Sequence, residues 1–268
     1  MDQNNRYDRQ IRLPYIDHAG QEKLGRAHVA IVGQGALGTA ASSYLARAGV
    51  GHILIIDNDI VELSNLQRQT LFDESDVGRS KADAACEHLG KINSDISIAS
   101  SRERLTEDNA PALLGGADIV IDASDNFEAR KIINNCCVPR GIPWIYGGVV
   151  QSQGMTMNIV PGGPCFACLM PGETPERGTY PIAGTHGILS TAAPFIAAVQ
   201  ATEAIKIITH SFASSSVRKT LLYVDLWDNV FQEHSIVKLP GCPVCGGKDQ
   251  HGSCLLYTSP SPRDRQKS

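Results

Sequence analysis

The sequence predicts an α/β fold with a doubly wound sheet, its C-terminal part closed by paired cysteines. Three observations carry that expectation. Val29-Ala30-Ile31-Val32 turns through Gly33-Gln34-Gly35-Ala36-Leu37-Gly38 into an alanine-rich stretch over 40–48, and Ile53-Leu54-Ile55-Ile56 follows, ending at Asp57. A later apolar run, Ile119-Val120-Ile121-Asp122, leads into Ala123-Ser124-Asp125-Asn126. Two Cys-x-x-Cys pairs stand at Cys165 with Cys168 and at Cys242 with Cys245.

The first observation has the punctuation of a β-α-β unit. Gly33, Gly35 and Gly38 give the G-x-G-x-x-G spacing: one glycine for a tight turn, one for close approach of backbone to phosphate, one for helix–strand packing. The start of the next helix offers free N–H groups and positive dipole character, which suit an anion. Gly49 and Gly51 stop that helix. Asp57 stands where a carboxylate can accept hydrogen bonds from ribose hydroxyls, so an adenine nucleotide is expected. Structural glycine turns share this spacing, and the motif does not say which nucleotide.

Ahead of this unit, Arg6-Tyr7-Asp8-Arg9-Gln10-Ile11-Arg12 is a basic arm that reads by itself as solvated, and 21–26 suits a short helix. Past Asp57, the run Asn58-Asp59-Ile60-Val61-Glu62-Leu63-Ser64-Asn65-Leu66-Gln67-Arg68-Gln69 is too polar and irregular for a core element. Loops on a rigid scaffold often carry function; Asn65, Gln67 and Arg68 suit phosphates and a carboxylate, or plain solvent. Gly78-Arg79-Ser80-Lys81 opens a helix to residue 92 with Ala82, Ala85 and Leu89 on one face. A lysine at a helix N-terminus opposes the dipole, a mild hint of an anionic ligand at a position where exposed lysines are also common.

Residues 110–114 suit a short helix, and 127–137 a longer one. Asp125, past the end of a parallel strand, would face the ligand crevice of a doubly wound sheet. It suits Mg²⁺ through water and Asn126 suits phosphate or base, while Ser124, Asp125 or Asn126 could instead cap the next helix. Trp144-Ile145-Tyr146 is expected as a strand broken by Gly147-Gly148, with another strand over 155–160. The Pro- and Gly-rich stretch 170–187 reads as a long loop, functional or mobile at that length. A long apolar helix with a polar stripe at Gln200, Glu203 and Lys206 is expected over 192–208, then strands over 221–226 and 235–239.

With 268 residues, 42% of them hydrophobic, the chain can bury a sizeable core as one large domain. Residues 255–268 carry no element pattern and read like translated sequencing adapter, so 248–268 are expected to be a non-native or disordered tail and the domain to be 1–247. A net charge of -4 argues against a nucleic-acid surface. No apolar run approaches the ~18 residues of a bilayer span, and 1–20 lack a signal-peptide core, so cytoplasmic residence is expected. Without an export signal the eight cysteines point away from disulfides. The two pairs, each preceded by Pro or Gly, supply the four thiolates of a closed and therefore structural zinc site. Free buried thiols or one redox pair are the alternatives.

Taken together, Arg6-Tyr7-x-Arg9-Gln10-Ile11, Gly33-x-Gly35-x-x-Gly38, Asp57-x-Asp59, Ser64-Asn65-Leu66-Gln67-Arg68-Gln69, Val77-Gly78-x-x-Lys81, Asp125-Asn126 and the cysteine pairs resemble the MoeB/ThiF/HesA family, bacterial relatives of ubiquitin-activating E1 enzymes. The resemblance spans about residues 6–247. It implies a mixed sheet with a Rossmann-like ATP half, usually assembled as a homodimer. It implies an enzyme that uses ATP and Mg²⁺ to adenylate the C-terminal Gly-Gly carboxylate of a small ubiquitin-like sulfur-carrier protein, of the molybdopterin-synthase small-subunit or thiazole-synthesis type, releasing pyrophosphate. Carried over by position, Gly35 and Ala36 offer backbone to the nucleotide, Asp57 holds the ribose, Asn65, Arg68 and Lys81 contact the triphosphate, and Asp125 serves Mg²⁺. Gly33, Gly38, Asp59, Ser64, Leu66, Gln67 and Asn126 complete the nucleotide-binding set. Arg9 resembles the family's arginine finger, which reaches the γ-phosphate in the neighbouring subunit.

The residue types suit that chemistry. The carrier carboxylate and the α-phosphate are both anionic, and Arg9, Arg68, Lys81 and Mg²⁺ would neutralise them and the charge developing on pyrophosphate. The carboxylate itself attacks, so no protein nucleophile is needed, and catalysis is positioning plus electrostatics. Many relatives carry a cysteine before the long helix where Ala183 aligns, and no cysteine lies between Cys168 and Cys242. The adenylate is therefore expected to pass to a separate sulfur donor, a cysteine desulfurase or rhodanese, and His186 in that loop reads as incidental. An NAD-dependent oxidoreductase would leave Arg9, Asn65, Arg68 and Lys81 idle, and a non-catalytic zinc-stabilised scaffold has no need of them. A tRNA-modifying E1-like enzyme fits the acidic charge and paired cysteines less well.

Overall fold

The structure, a computed structural model, describes residues 6–172 and 183–246. In chain order the helices are α1 (Asp8–Ile11), α2 (Asp17–Arg26), α3 (Ala36–Ala48), α4 (Lys81–Ile92), α5 (Ala110–Leu114), α6 (Phe127–Cys137), α7 (Phe166–Leu169), α8 (Ala183–His186) and α9 (Ala192–His210). The strands are β1 (His28–Val32), β2 (His52–Ile56), β3 (Ser97–Ser101), β4 (Ile119–Asp122), β5 (Trp144–Val150), β6 (Gln153–Ile159), β7 (Leu221–Asp225) and β8 (Val230–His234). They form one sheet in the order β3-β2-β1-β4-β5-β6-β7-β8. The first five strands in that order pair parallel, and the remaining pairings are antiparallel. The mixed sheet with a Rossmann-like half is thus present.

Strand alternation sorts side chains onto two cores. Val29 and Ile31 of β1 face α3, α4 and α9, with Leu45, Leu89 and Ala197 in the same cluster. Ala30 and Val32 face the opposite side, with Leu114, Ile133, Trp144 and three of the paired cysteines. Period-2 alternation with both faces apolar is what a covered parallel sheet requires.

Several elements depart from the sequence expectation. β5 runs straight through Gly147 and Gly148. A Cβ on Gly147 would lie 2.5 Å from Gln200 Nε2, so glycine here admits α9 against the sheet and does not end the strand. Gln200 donates to the Asp122 and Ile145 carbonyls at 2.8 and 3.1 Å, and Glu203 accepts from Asn158 Nδ2 at 2.6 Å and Arg218 N at 3.0 Å. The expected polar stripe of α9 is therefore largely inside. At 19 residues α9 meets the length and composition of a membrane span, contrary to expectation, yet it packs on α3, β5 and β6 as the central helix of the domain.

Among the described residues the last strand is β8, and no strand covers 235–239. The β7–β8 hairpin closes in full register, which uses up the pairing partner the later segment would need. β3 was not foreseen, because Ser97-Ile98-Ala99-Ser100-Ser101 is a polar edge strand. Within the expected loop 170–187, α8 is helical and 173–182 lie outside the described residues, as do 247–268.

Candidate active site

β1 lies between β2 and β4, and the chain leaves β1 first towards β2 and β3 before returning to β4. This is the switch point at which doubly wound sheets open a ligand crevice beyond the strand C-termini. The turn after β1 sits there, and its glycines have different reasons. Gly33 has φ +93°, and a Cβ on it would come 2.6 Å from the Ala123 carbonyl oxygen after β4. A Cβ on Gly38 would run into the Gly33 carbonyl, so this glycine seats α3 on its own turn. Gly35 differs: the nearest atom to its Cβ position is Gln69 Nε2, at 3.9 Å. Internal packing leaves that face clear for a ligand. Gly35 is also the N-cap residue of α3 and supplies no side-chain acceptor, so the first N–H groups, including that of Ala36, remain without a side-chain cap.

Asp57 caps this turn from β2. Its Oδ2 accepts from Gln34 N at 2.5 Å and its Oδ1 from Asp59 N at 2.7 Å. Burial pushes the Asp57 carboxyl above the usual range, against the pull of Lys81 and the two N–H donors. Lys81, first residue of α4, is buried with its Nζ 3.0 Å from Asp59 Oδ2. The dipole-opposing lysine is thus paired on the carboxylate side of the site. Asn65 is buried in a capping box in which its Oδ1 accepts from Glu62 N at 3.3 Å. Its Nδ2 reaches Ser64 Oγ at 3.4 Å. Arg68 donates to the Ser64 carbonyl at 3.0 Å, and Gln67 reaches the Ile188 carbonyl at 3.5 Å. Leu66 is half-buried and packs on the core beneath. The segment therefore curls back on itself, with Gln69 brought beside Gly35.

At the end of β4, Asn126 caps α6 by accepting from Ala129 N at 2.9 Å. Asp125 is exposed, and its Oδ1 accepts from Asn126 Nδ2 at 3.2 Å. Both sequence readings of this turn are thus compatible, with the cap assigned to Asn126. Beneath it lies an ion pair that the sequence did not reveal. Asp122 is fully buried and accepts from Ser124 N and Oγ at 3.0 and 2.5 Å. Arg130 Nε reaches the same carboxylate at 3.3 Å, and Nη2 donates to the Ser124 and Gly147 carbonyls at 3.0 and 3.3 Å. The guanidinium stacks between Phe127 and Tyr146, 5.4 and 5.2 Å from their ring centres. Burial pushes the Asp122 carboxyl up and Arg130 draws it back. An arginine among Ile132, Ile133 and Cys137 on the inward side of α6 was the available signal.

Arg9 is not brought to this crevice. It is exposed on α1, 3.8 Å from Asp8 Oδ2. The arm is fastened to the opposite end of the domain: the Tyr7 ring lies on Gly49, and its hydroxyl accepts from Asn93 Nδ2 at 2.8 Å. Gln10 donates to the Ala48 carbonyl at 2.9 Å, and Arg6 pairs with Asp95 at 3.2 Å. Gly49 ends the 13-residue α3, which at 1.5 Å per residue puts the arm about 20 Å from the phosphate turn.

The four paired cysteines come together on the second core. Their sulfurs all lie within 4.8 Å of one another, with Cys165 3.6 Å from Cys242 and Cys168 3.4 Å from Cys245. Asn134 Nδ2 points at the Cys165 sulfur from 3.7 Å, and Leu239 N at that of Cys168 from 3.4 Å. Burial pushes the Cys242 thiol up, but the N–H groups of Cys245 and Val244, together with the neighbouring Cys165 and Cys245 thiols, bring it down to about 7.

Fold and crevice together define an α/β protein suited to a nucleotide whose phosphates meet the start of α3. The ThiF family model matches residues 7–244, and the chain belongs to that family. It is 42% identical over 253 residues to the sulfur carrier protein ThiS adenylyltransferase of Bacillus subtilis, covering 91% of this chain and 72% of that one. It is 37% identical over 245 residues to the molybdopterin-synthase adenylyltransferase of Salmonella typhimurium, covering 90% and 96%. Among solved structures, E. coli MccB with ATP superposes with a TM-score of 0.79 at 28% identity, over 91% of this chain and 75% of that one.

Proposed function

We propose that this chain is an adenylyltransferase that uses ATP to activate the C-terminal carboxylate of a small ubiquitin-like sulfur-carrier protein. The observation that carries the reading is the crevice at the β1/β4 switch point. It combines an open Gly35, an α3 start without a side-chain cap, Asp57 and a buried Lys81, and it belongs to a chain whose relatives are named for this activity. One carboxylate oxygen of the carrier attacks the α-phosphorus of ATP. The bond from the α-phosphorus to the α,β-bridging oxygen breaks, that oxygen leaves with the electron pair as part of pyrophosphate, and the carrier keeps an acyl-adenylate.

The chain's residues supply charge and position. Gly35 and Ala36 offer backbone to the nucleotide, Asp57 accepts from the ribose, Asn65 donates to phosphate oxygens, and Arg68 and Lys81 neutralise them as charge moves onto pyrophosphate. An exposed Asp125 at the end of β4 fits Mg²⁺, which binds through one or two carboxylates plus substrate phosphates. Asp125 would hold it, and its contribution is charge neutralisation. Arg9, too far from its own crevice, would serve that of a second copy in a homodimer.

The cysteine cluster would hold structural zinc. Tetrahedral coordination at a Zn–S distance of about 2.3 Å places sulfurs roughly 3.8 Å apart, close to the separations of Cys165 from Cys242 and Cys168 from Cys245. The N–H donors on the sulfurs suit thiolates. Four sulfur ligands leave no open position, so the metal would have no part in the chemistry. Transfer of sulfur to the adenylate would fall to a separate donor protein.

The test is carrier-dependent ATP–pyrophosphate exchange with a panel of Gly-Gly-ended carriers and no sulfur donor. Exchange with one carrier is expected. Silence with every carrier, from folded and zinc-loaded protein, would overturn the reading.

A further inference from the structure

Outside the crevice, one buried carboxylate gathers more donors than a structural turn needs. Asp76, fully buried, sits in the turn before α4. Its Oδ1 accepts from Arg79 Nη1 at 2.7 Å, and its Oδ2 meets His88 Nε2 at 2.7 Å and Asp73 N at 3.1 Å. Arg79 continues outward to Glu87 Oε2 at 2.6 Å, and Glu87 Oε1 to Lys91 at 2.6 Å. Asp73, Asp76 and His88 have the separations of metal ligands, but guanidinium, imidazole and N–H already engage both Asp76 oxygens. The cluster is a charge-satisfied staple between 73–79 and α4.

Its backbone leads to the nucleotide crevice. Arg79 accepts at its carbonyl from Val61 N, Gly78 N donates to the Val61 carbonyl, and Lys81 N to that of Asp59, at 2.9, 2.9 and 3.0 Å. The segment so paired holds Asp59, whose N–H binds Asp57 and whose carboxylate binds Lys81. Asp57 in turn holds Gln34 N in the phosphate turn. Every link from His88 to the phosphate turn is a hydrogen bond or covalent neighbour.

We propose that Asp76, with Arg79 and His88, is a positioning cluster that sets where Lys81, Asp57 and Asp59 meet ATP. The proposal rests on the adenylyltransferase reading for ATP as ligand, but not on the identity of the carrier. A half-buried histidine at the rim of α4 thereby acts on nucleotide affinity without touching nucleotide.

The experiment is calorimetric titration of the full chain with ATP and Mg²⁺, without carrier, alongside melting curves of the nucleotide-free proteins. His88→Ala leaves one Asp76 lone pair without its donor and should weaken ATP binding roughly tenfold, since small displacements at a distance can cost up to ~10²-fold in a positioned site. His88→Gln, which can still donate, should stay within about twofold of the parent. Asp76→Asn should match or exceed the His88→Ala loss. Parent-like ATP affinity in folded His88→Ala, with only the melting midpoint lowered, would overturn the proposal, as would equal losses in His88→Ala and His88→Gln. ATP affinity in the parent chain combined with no exchange for any carrier would strike the proposed function and leave this positioning role standing.

Discussion

The parallel and antiparallel halves of the sheet solve the same packing problem by different means. In β2, β1, β4 and β5 the strands are covered by helices on both sides, and Ile31, Ile55, Ile119 and Ile121 are wholly buried. From β6 to β8 the cover thins: the β8 side chains are mostly exposed, with Phe231 at 56% and nearby Trp227 at 76%. There the chain gathers Cys165, Cys168, Cys242 and Cys245 from segments far apart in sequence. Apolar burial supports the half with the glycine turn, and the proposed zinc tie would support the half with thinner cover. Stability and nucleotide affinity should therefore respond to different residues.

The widest separation should come from Cys242→Ser. Loss of a structural metal belongs with the largest single-residue effects, about 4 kcal/mol or more, read as a fall in melting midpoint with loss of bound zinc. ATP affinity of the folded fraction should be unchanged. Unaltered metal content in this variant would remove the four-thiolate site. Arg68→Ala and Asp125→Ala should do the converse, lowering carrier-dependent exchange by about 10²-fold or more while zinc content and melting stay at parent values; parent-like exchange would sink either assignment.

A finer contrast lies inside the phosphate turn. Gly38→Ala forces a Cβ towards the Gly33 carbonyl and should cost roughly 1–3 kcal/mol of stability. Gly35→Ala meets nothing closer than 3.9 Å; its loss should appear as weaker ATP binding at nearly unchanged melting. Reversed behaviour of the two would mean that the ligand approaches from another side.

The same contrast explains what could be read in advance. β1, α3 and β2 were legible because a buried parallel strand is apolar at every position and the glycine turn is local. The cysteine pairs were legible because thiols at such spacing have few other uses. β3 was not, since an edge strand made of Ser97, Ala99, Ser100 and Ser101 has no apolar signature. Gly147 looked like a strand break because the intruding Gln200 comes from a helix far along the chain. Asp122 with Arg130, and Asp76 with His88, depend on tertiary closure, so their partners could not be named from spacing. Arg9 was noticed, but only the fold shows that its own crevice lies at the far end of α3.

That last feature has a genetic meaning. An arm fastened at Gly49 cannot serve a crevice about one helix length away, so under the proposed homodimer each arginine works for its sister chain. Two null alleles, Arg9→Ala and Asp125→Ala, should then rescue each other when expressed in one cell. Random assembly would restore on the order of one quarter of the sites, because half the dimers would be mixed and each would pair an intact arm with an intact crevice. Measured exchange from the mixed preparation, against none from either allele alone, would make this enzyme active only as a pair. No recovery on mixing would leave Arg9 a surface residue.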